Sequence, residues 1–92
     1  MPDRFVKDPS ALLDYTWDWS GWLDAVADTI STATVAVPAG LTAVGAPVVD
    51  EAAVTQRISG GSLGGAYTVV CQIITAGGLI DERSIYLTIA NR

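Results

Sequence analysis

Between residues 13 and 19 the chain alternates: Leu13, Tyr15, Trp17 and Trp19 take the odd positions, Asp14, Thr16 and Asp18 the even ones. A strand sends successive side chains to opposite faces, so this run predicts a β-strand with one aliphatic and aromatic face and one acidic face. Ser20-Gly21 breaks it, leaving Trp22 and Leu23 in the connection that follows. Leu23, Val26 and Ile30 have helical spacing, but the β-like sequence from Thr29 onward favours a short non-helical link.

The two-residue period returns downstream. Residues 29–37 read as a second strand, whose apolar parity changes between Ile30 and Val35 and predicts a bulge or bend near Ala33. Residues 41–49 form a third, interrupted at Gly45 and Pro47 and therefore assigned to a sheet edge. Val54, Gln56 and Ile58 share one side of a fourth. After the glycine-rich turn at 60–65, Tyr67, Val69, Cys71 and Ile73 alternate with Thr68, Val70, Gln72 and Ile74. Apolar residues on both faces predict a central strand. A hairpin connection then leads to a last strand with Ile85, Leu87 and Ile89 inward and Tyr86 and Thr88 opposite. Short Val-, Ile- and Thr-rich runs punctuated by glycine and proline predict an all-β sandwich or barrel of about six to seven strands. Residues 1–9 mix charges with two prolines and read as an extended N-terminal arm, with residues 10–92 forming the sandwich. The arm's Phe5 and Val6 are candidates for docking on a neighbour.

Composition narrows the function classes. Half of the 92 residues are hydrophobic, which argues against disorder, and a chain this short makes one small domain. The net charge of -5, without a basic run, repels phosphate backbones and disfavours nucleic-acid binding. Two uncharged runs, residues 29–49 and 58–80, are too interrupted by glycine and proline for membrane-spanning helices. The single Cys71 permits no internal disulfide, and the N-terminal residues lack an apolar signal region, so folding in a reducing cytoplasm is expected.

No constellation for catalysis, cofactor or metal emerges. There is no histidine. Asp14 and Asp18 would lie about 13 Å apart along a strand, too far to share a calcium ion. Asp81, Glu82 and Arg83 read as a salt-bridged hairpin mouth rather than acid–base machinery, and the glycine doublets lack the helix and lysine of a phosphate loop. Cys71 has the parity of an inert core residue. The tryptophans remain. Trp17 and Trp19 share the core face, yet a thin sandwich cannot bury Leu13, Tyr15, Trp17, Trp19 and Trp22 together, so Trp22 is expected at the surface with Trp19 beside it as an apolar anchor. Asp81, Glu82 and Arg83 would supply its polar rim. Protein contact is favoured over a sugar platform.

Several segments resemble a known family. They are KDPSALLDYTWDWSGWL (7–23), DTI (28–30), PAGLT (38–42), SGGSLGGAYTV (59–69) and TAGGLIDERSIYLTI (75–89). Together they cover nearly the whole chain and are similar to the phage fiber-tail adaptor proteins, small proteins of tailed-phage virions. The resemblance implies an immunoglobulin-like β-sandwich at the neck or tail, linking fibres to the particle, with neighbouring virion proteins as partners in a homo-oligomeric ring and no catalytic residue. A capsid decoration protein and a carbohydrate-binding host-recognition module are the alternatives.

Overall fold

A computed structural model describes residues 3–91. The elements run β1 (Asp3–Lys7), β2 (Leu13–Asp18), α1 (Ser20–Val26), β3 (Ile30–Ala36), β4 (Leu41–Asp50), β5 (Ala53–Gly60), β6 (Ala66–Thr75) and β7 (Ile80–Ile89). Two sheets form, one ordered β1-β7-β6-β3 and the other β2-β5-β4. Every pairing is antiparallel except that of β1 with β7. Lettered A to G in chain order, the sheets are A-G-F-C and B-E-D. That is the immunoglobulin arrangement with the first strand moved onto the sheet of the last. The expected all-β sandwich is the observed fold.

The alternation seen in sequence becomes burial in three dimensions. Tyr15 and Trp17 of β2, Val54 and Ile58 of β5, Val69, Cys71 and Ile73 of β6, and Ile85, Leu87 and Ile89 of β7 fill one core between the sheets. Each such side chain contributes about 1.5–3 kcal/mol when taken out of water. β6 and β7 pair as the predicted hairpin, from Ala66 opposite Thr88 to Ile74 opposite Ile80. β6 lies inside its sheet and β4 at an edge, both as expected. The irregularity of β3 falls between Ile30 and Thr32, slightly before the predicted position. In β4 the register slips between Val44 and Val48. There the buried Gln56 side chain donates to the carbonyls of Val44 (3.4 Å) and Gly45 (3.1 Å), supplying the bonds the interrupted ladder lacks.

Three features depart from the sequence reading. The link after β2 is a helix: α1 buries Leu23, and its end is closed by Ala27 at φ 52°, where the amides of Ala27 and Asp28 return to the carbonyls of Asp24 and Leu23. The β-propensity of the segment after Thr29 belongs to β3 and did not extend back into the link. Leu13 is exposed instead of joining the core face; it sits at the very start of β2, opposite Ile58.

The third concerns the arm. Met1 and Pro2 lie outside the described residues, and Asp3–Lys7 is laid down as β1 along the second half of β7, with Asp3 opposite Ile85 and Lys7 opposite Ile89. Lys7 secures it. Its side chain is fully buried, and Nζ donates to the carbonyls of Gly60 (2.7 Å) and Asp8 (2.9 Å). A buried ammonium is tolerated only with such partners. Phe5 packs its ring against Tyr15 of the other sheet at 5.2 Å between centroids, so β1 also closes one side of the sandwich.

Candidate interaction surface

The tryptophan-rich segment changes direction at Asp18. Its Oδ1 accepts the Ser20 amide at 2.8 Å, which ends β2 and starts α1. The turn swings the Trp19 indole inward, where no part of it is exposed. Nε1 donates to Oδ2 of Asp81 at 2.8 Å, crossing from the β2–α1 junction to β7 of the opposite sheet. The Arg83 guanidinium covers the indole at 5.0 Å from the ring centroid and donates through Nη1 to the Asp18 carbonyl at 2.6 Å. Its Nε lies 3.8 Å from Asp81 Oδ2.

Trp19, Asp81 and Arg83 are therefore brought together, but around a buried pillar. The expectation that Trp19 anchors a neighbour is corrected: a side chain with no accessible surface holds the two sheets together instead. A strand-alternation argument counts residues per face and cannot see that β2 ends at Asp18 and redirects the next side chain. Trp17 is also buried, and its Nε1 has no hydrogen-bond partner. Trp22, half-buried against the core from α1, is the indole that keeps accessible surface.

The remaining predicted residues form separate patches. Phe5 and Val6 are 37 % and 49 % exposed on β1, the outermost strand of its sheet, beside residues 85–89. Glu82 is exposed at the other half of β7 and accepts from Gln72 Nε2 at 3.1 Å. Missed by the sequence reading were Leu79 and Ile80, exposed at the β6–β7 connection, and Leu63 in the glycine-rich turn. The available signal was an apolar residue inside a turn, where burial is rare.

Several acidic groups do structural work. Asp28 Oδ1 accepts the amides of Thr29 (2.8 Å) and Gly77 (3.2 Å), tying the α1–β3 link to the β6–β7 connection. Hydrogen bonds from Thr75 and Thr29 hold its carboxyl below the usual carboxylate range. Bonds from the Ser20 amide and hydroxyl do the same for Asp18, and the Arg57 side chain does so for Asp14, whose Oδ1 it meets at 2.9 Å. A carboxylate whose folded pKa is depressed stabilises the fold above its unfolded pKa and loses that contribution as pH falls through the folded value. Thermal midpoints should therefore be level above about pH 5 and fall progressively below about pH 4. In the Asp28→Asn variant the acid-side slope should be shallower; an unchanged slope in a calorimetric pH series would contradict the role given to Asp28.

Among the described residues no group of three or more His, Cys, Asp or Glu side chains is placed to hold a metal ion. Burial pushes the Cys71 thiol up to about 12, so it stays protonated and unreactive at neutral pH. Surface depressions of about 310 and 240 Å³ lie on the outer faces, lined by Arg4, Tyr67 and Tyr86 and by Asp14, Val44 and Arg57 respectively. No helix among the described residues is long and apolar enough to cross a membrane.

Residues 7–88 match the model of a protein family described as Podophage GP4 fiber-tail adaptor protein gp77. The chain belongs to this family of phage fiber-tail adaptors. The match runs from Lys7, the residue that locks β1, to Thr88, and so includes the sandwich apart from the first four residues of β1 and Ile89 at the end of β7. No curated protein matches the chain. Membership gives the adaptor a structural role in a phage tail. It also agrees with a molecule whose cross-sheet contacts, such as the Trp19–Asp81 bond, are built to hold shape.

Proposed function

We propose that this adaptor is a non-enzymatic structural protein that attaches fibres to the neck or tail of a tailed-phage virion. It acts as several copies in a ring, contacts neighbouring virion proteins, and is made in the bacterial host cytoplasm. It needs no cofactor, nucleic acid or membrane. The exposed side chains of β1, Phe5 and Val6, serve as apolar contacts, and Trp22 provides the aromatic one. The observation that carries this reading, beside family membership, is that a well-filled sandwich leaves Phe5 and Val6 accessible on its outermost strand. Large apolar groups grouped on an edge of a small protein mark contact surface.

Purified particles assembled with Val6→Asp or Trp22→Ala protein supply the test. Val6→Asp should keep the wild-type thermal midpoint within a few degrees and lose about tenfold or more in copies per particle, equivalent to about 1.4 kcal/mol or more of binding free energy. Trp22→Ala, which also strips packing from the core, should lower the midpoint as well as the copy number. Full incorporation of both would remove these residues from the contact surface. Copies numbering in the hundreds over the shell would indicate capsid decoration instead of a neck or tail ring.

A further inference from the structure

The charges of this protein are concentrated at one end. Asp18 and Asp24 flank and occupy α1, Asp28 follows it, Asp50 ends β4 and Glu51 starts the β4–β5 turn, and Asp81 and Glu82 follow Ile80 at the start of β7. Backbone bonds show that these pieces adjoin. The Trp19 amide donates to the Ala52 carbonyl at 2.9 Å, joining α1 to the β4–β5 turn, and the Ala76 amide donates to the Thr29 carbonyl at 2.9 Å, joining the α1–β3 link to the β6–β7 connection. Seven of the ten acidic side chains of the sequence thus share an end with one basic side chain among the described residues, Arg83, which is itself engaged with Asp18, Asp81 and Trp19.

Apolar groups stand among them. Leu79 and Ile80 are 44 % and 61 % exposed, and Ile74, the cross-strand partner of Ile80, is exposed as well. Val26 at the end of α1 adds a fourth. Local turn geometry asks for none of these; a β-hairpin connection in water is ordinarily polar.

We infer that this end docks on a different polypeptide, one presenting an apolar contact rimmed by lysine or arginine. The inference rests on the adaptor reading and names the partner chemistry for this surface. Charge complementarity selects that occupant. A rim of carboxylates repels acidic surfaces and steers basic ones, while the Leu79–Ile80 pair supplies the area that becomes desolvated. A second copy of this chain does not fit. Arg57 is paired with Asp14, Lys7 is buried against carbonyls, and Arg4 lies over the Tyr86 ring at 5.6 Å. The copy therefore has no cluster of accessible cations among the described residues to set against seven carboxylates.

Two measurements on adaptor-deficient particles, to which purified full-length protein is added back, decide the matter. A photo-crosslinking residue in place of Leu79 should join a non-self virion chain, whereas one in place of Leu63 should not join that same chain. Binding should weaken by tenfold or more between about 50 and 300 mM salt, because surface charges are screened over about 10 Å at 0.1 M. The double variant Asp24→Lys, Glu51→Lys should bind at least tenfold more weakly at low salt with an unchanged thermal midpoint. Crosslinks from position 79 to another copy of this chain, or to nothing, overturn the inference; so does binding indifferent to salt and to the double variant. Those results leave the adaptor reading standing, provided the protein binds. Protein that fails to bind adaptor-deficient particles at any salt sinks the adaptor reading and the inference together.

Discussion

Trp19→Ala is expected to leave little folded protein. The indole is fully buried, and truncating a buried tryptophan costs about 3–5 kcal/mol through lost contacts and the cavity that remains. Removing Nε1 also deprives the half-buried Asp81 carboxylate of a hydrogen-bond donor, and bonds to charged groups are worth about 1.5–3 kcal/mol. Arg83 loses the ring it covers. A domain of this length has a total stability of roughly 5–10 kcal/mol, so the sum of these losses approaches the whole. Trp19→Phe separates the contributions: it keeps much of the volume and gives up the N–H, and should remain folded with a loss of about 2–3 kcal/mol. Urea denaturation followed by circular dichroism measures both. A Trp19→Ala protein within 1 kcal/mol of wild type would mean that the indole is not the pillar described above.

Gly61→Ala should produce the next largest loss, at a position where no contact is removed. Gly61 has φ 100°, and a Cβ there would stand 2.6 Å from Cδ1 and 2.7 Å from Cγ1 of Ile89. Ile89 is 1 % exposed, at the end of the core row of β7, so its side chain has little room to withdraw. Positive φ costs a non-glycine residue about 1–2 kcal/mol, and overpacking a filled core about 1–3 kcal/mol more. Gly64→Ala is the internal control. Gly64 has φ 82° but nothing within 4 Å of the added carbon, so it should show the backbone cost alone. Equal losses in the two variants, measured by thermal unfolding, would show that the close approach of Gly61 to Ile89 is not what requires glycine there.

These two sites show different depths of legibility. The glycine-rich turn was readable as a turn, because two doublets between β-like runs leave little else. Which of its glycines is indispensable was not readable, since that depends on Ile89, which lies 28 positions later in the chain. Trp19 was readable as a candidate core residue by parity, and equally as a surface anchor by counting how many large side chains one face can hold. The decision came from Asp18, whose carboxylate accepts the Ser20 amide and turns the chain into α1. The sandwich then found room by exposing Leu13 and leaving Trp22 half-buried.

Local sequence determined the all-β class, the edge position of β4 through Gly45 and Pro47, the interior position of β6 through its two apolar faces, and the hairpin of β6 with β7. Each follows from side chains two apart sharing a face, and that rule needs no knowledge of distant residues. The motif resemblance added the family, and the match over residues 7–88 established it. Only the tertiary structure decided that residues 3–7 close the sandwich as β1, that Trp19 is secured by Asp81 and Arg83, and that seven carboxylates gather at one end with exposed Leu79 and Ile80. Those facts rest on groups far apart in the chain: the β1–β7 partners Asp3 and Ile85 are 82 positions apart, and the bonds of Lys7 to Gly60, Trp19 to Asp81 and Arg83 to Asp18 span 53, 62 and 65. A period-two pattern specifies which face a residue occupies and is blind to what faces it across the core. That pairing is set when two sheets pack and their loops converge.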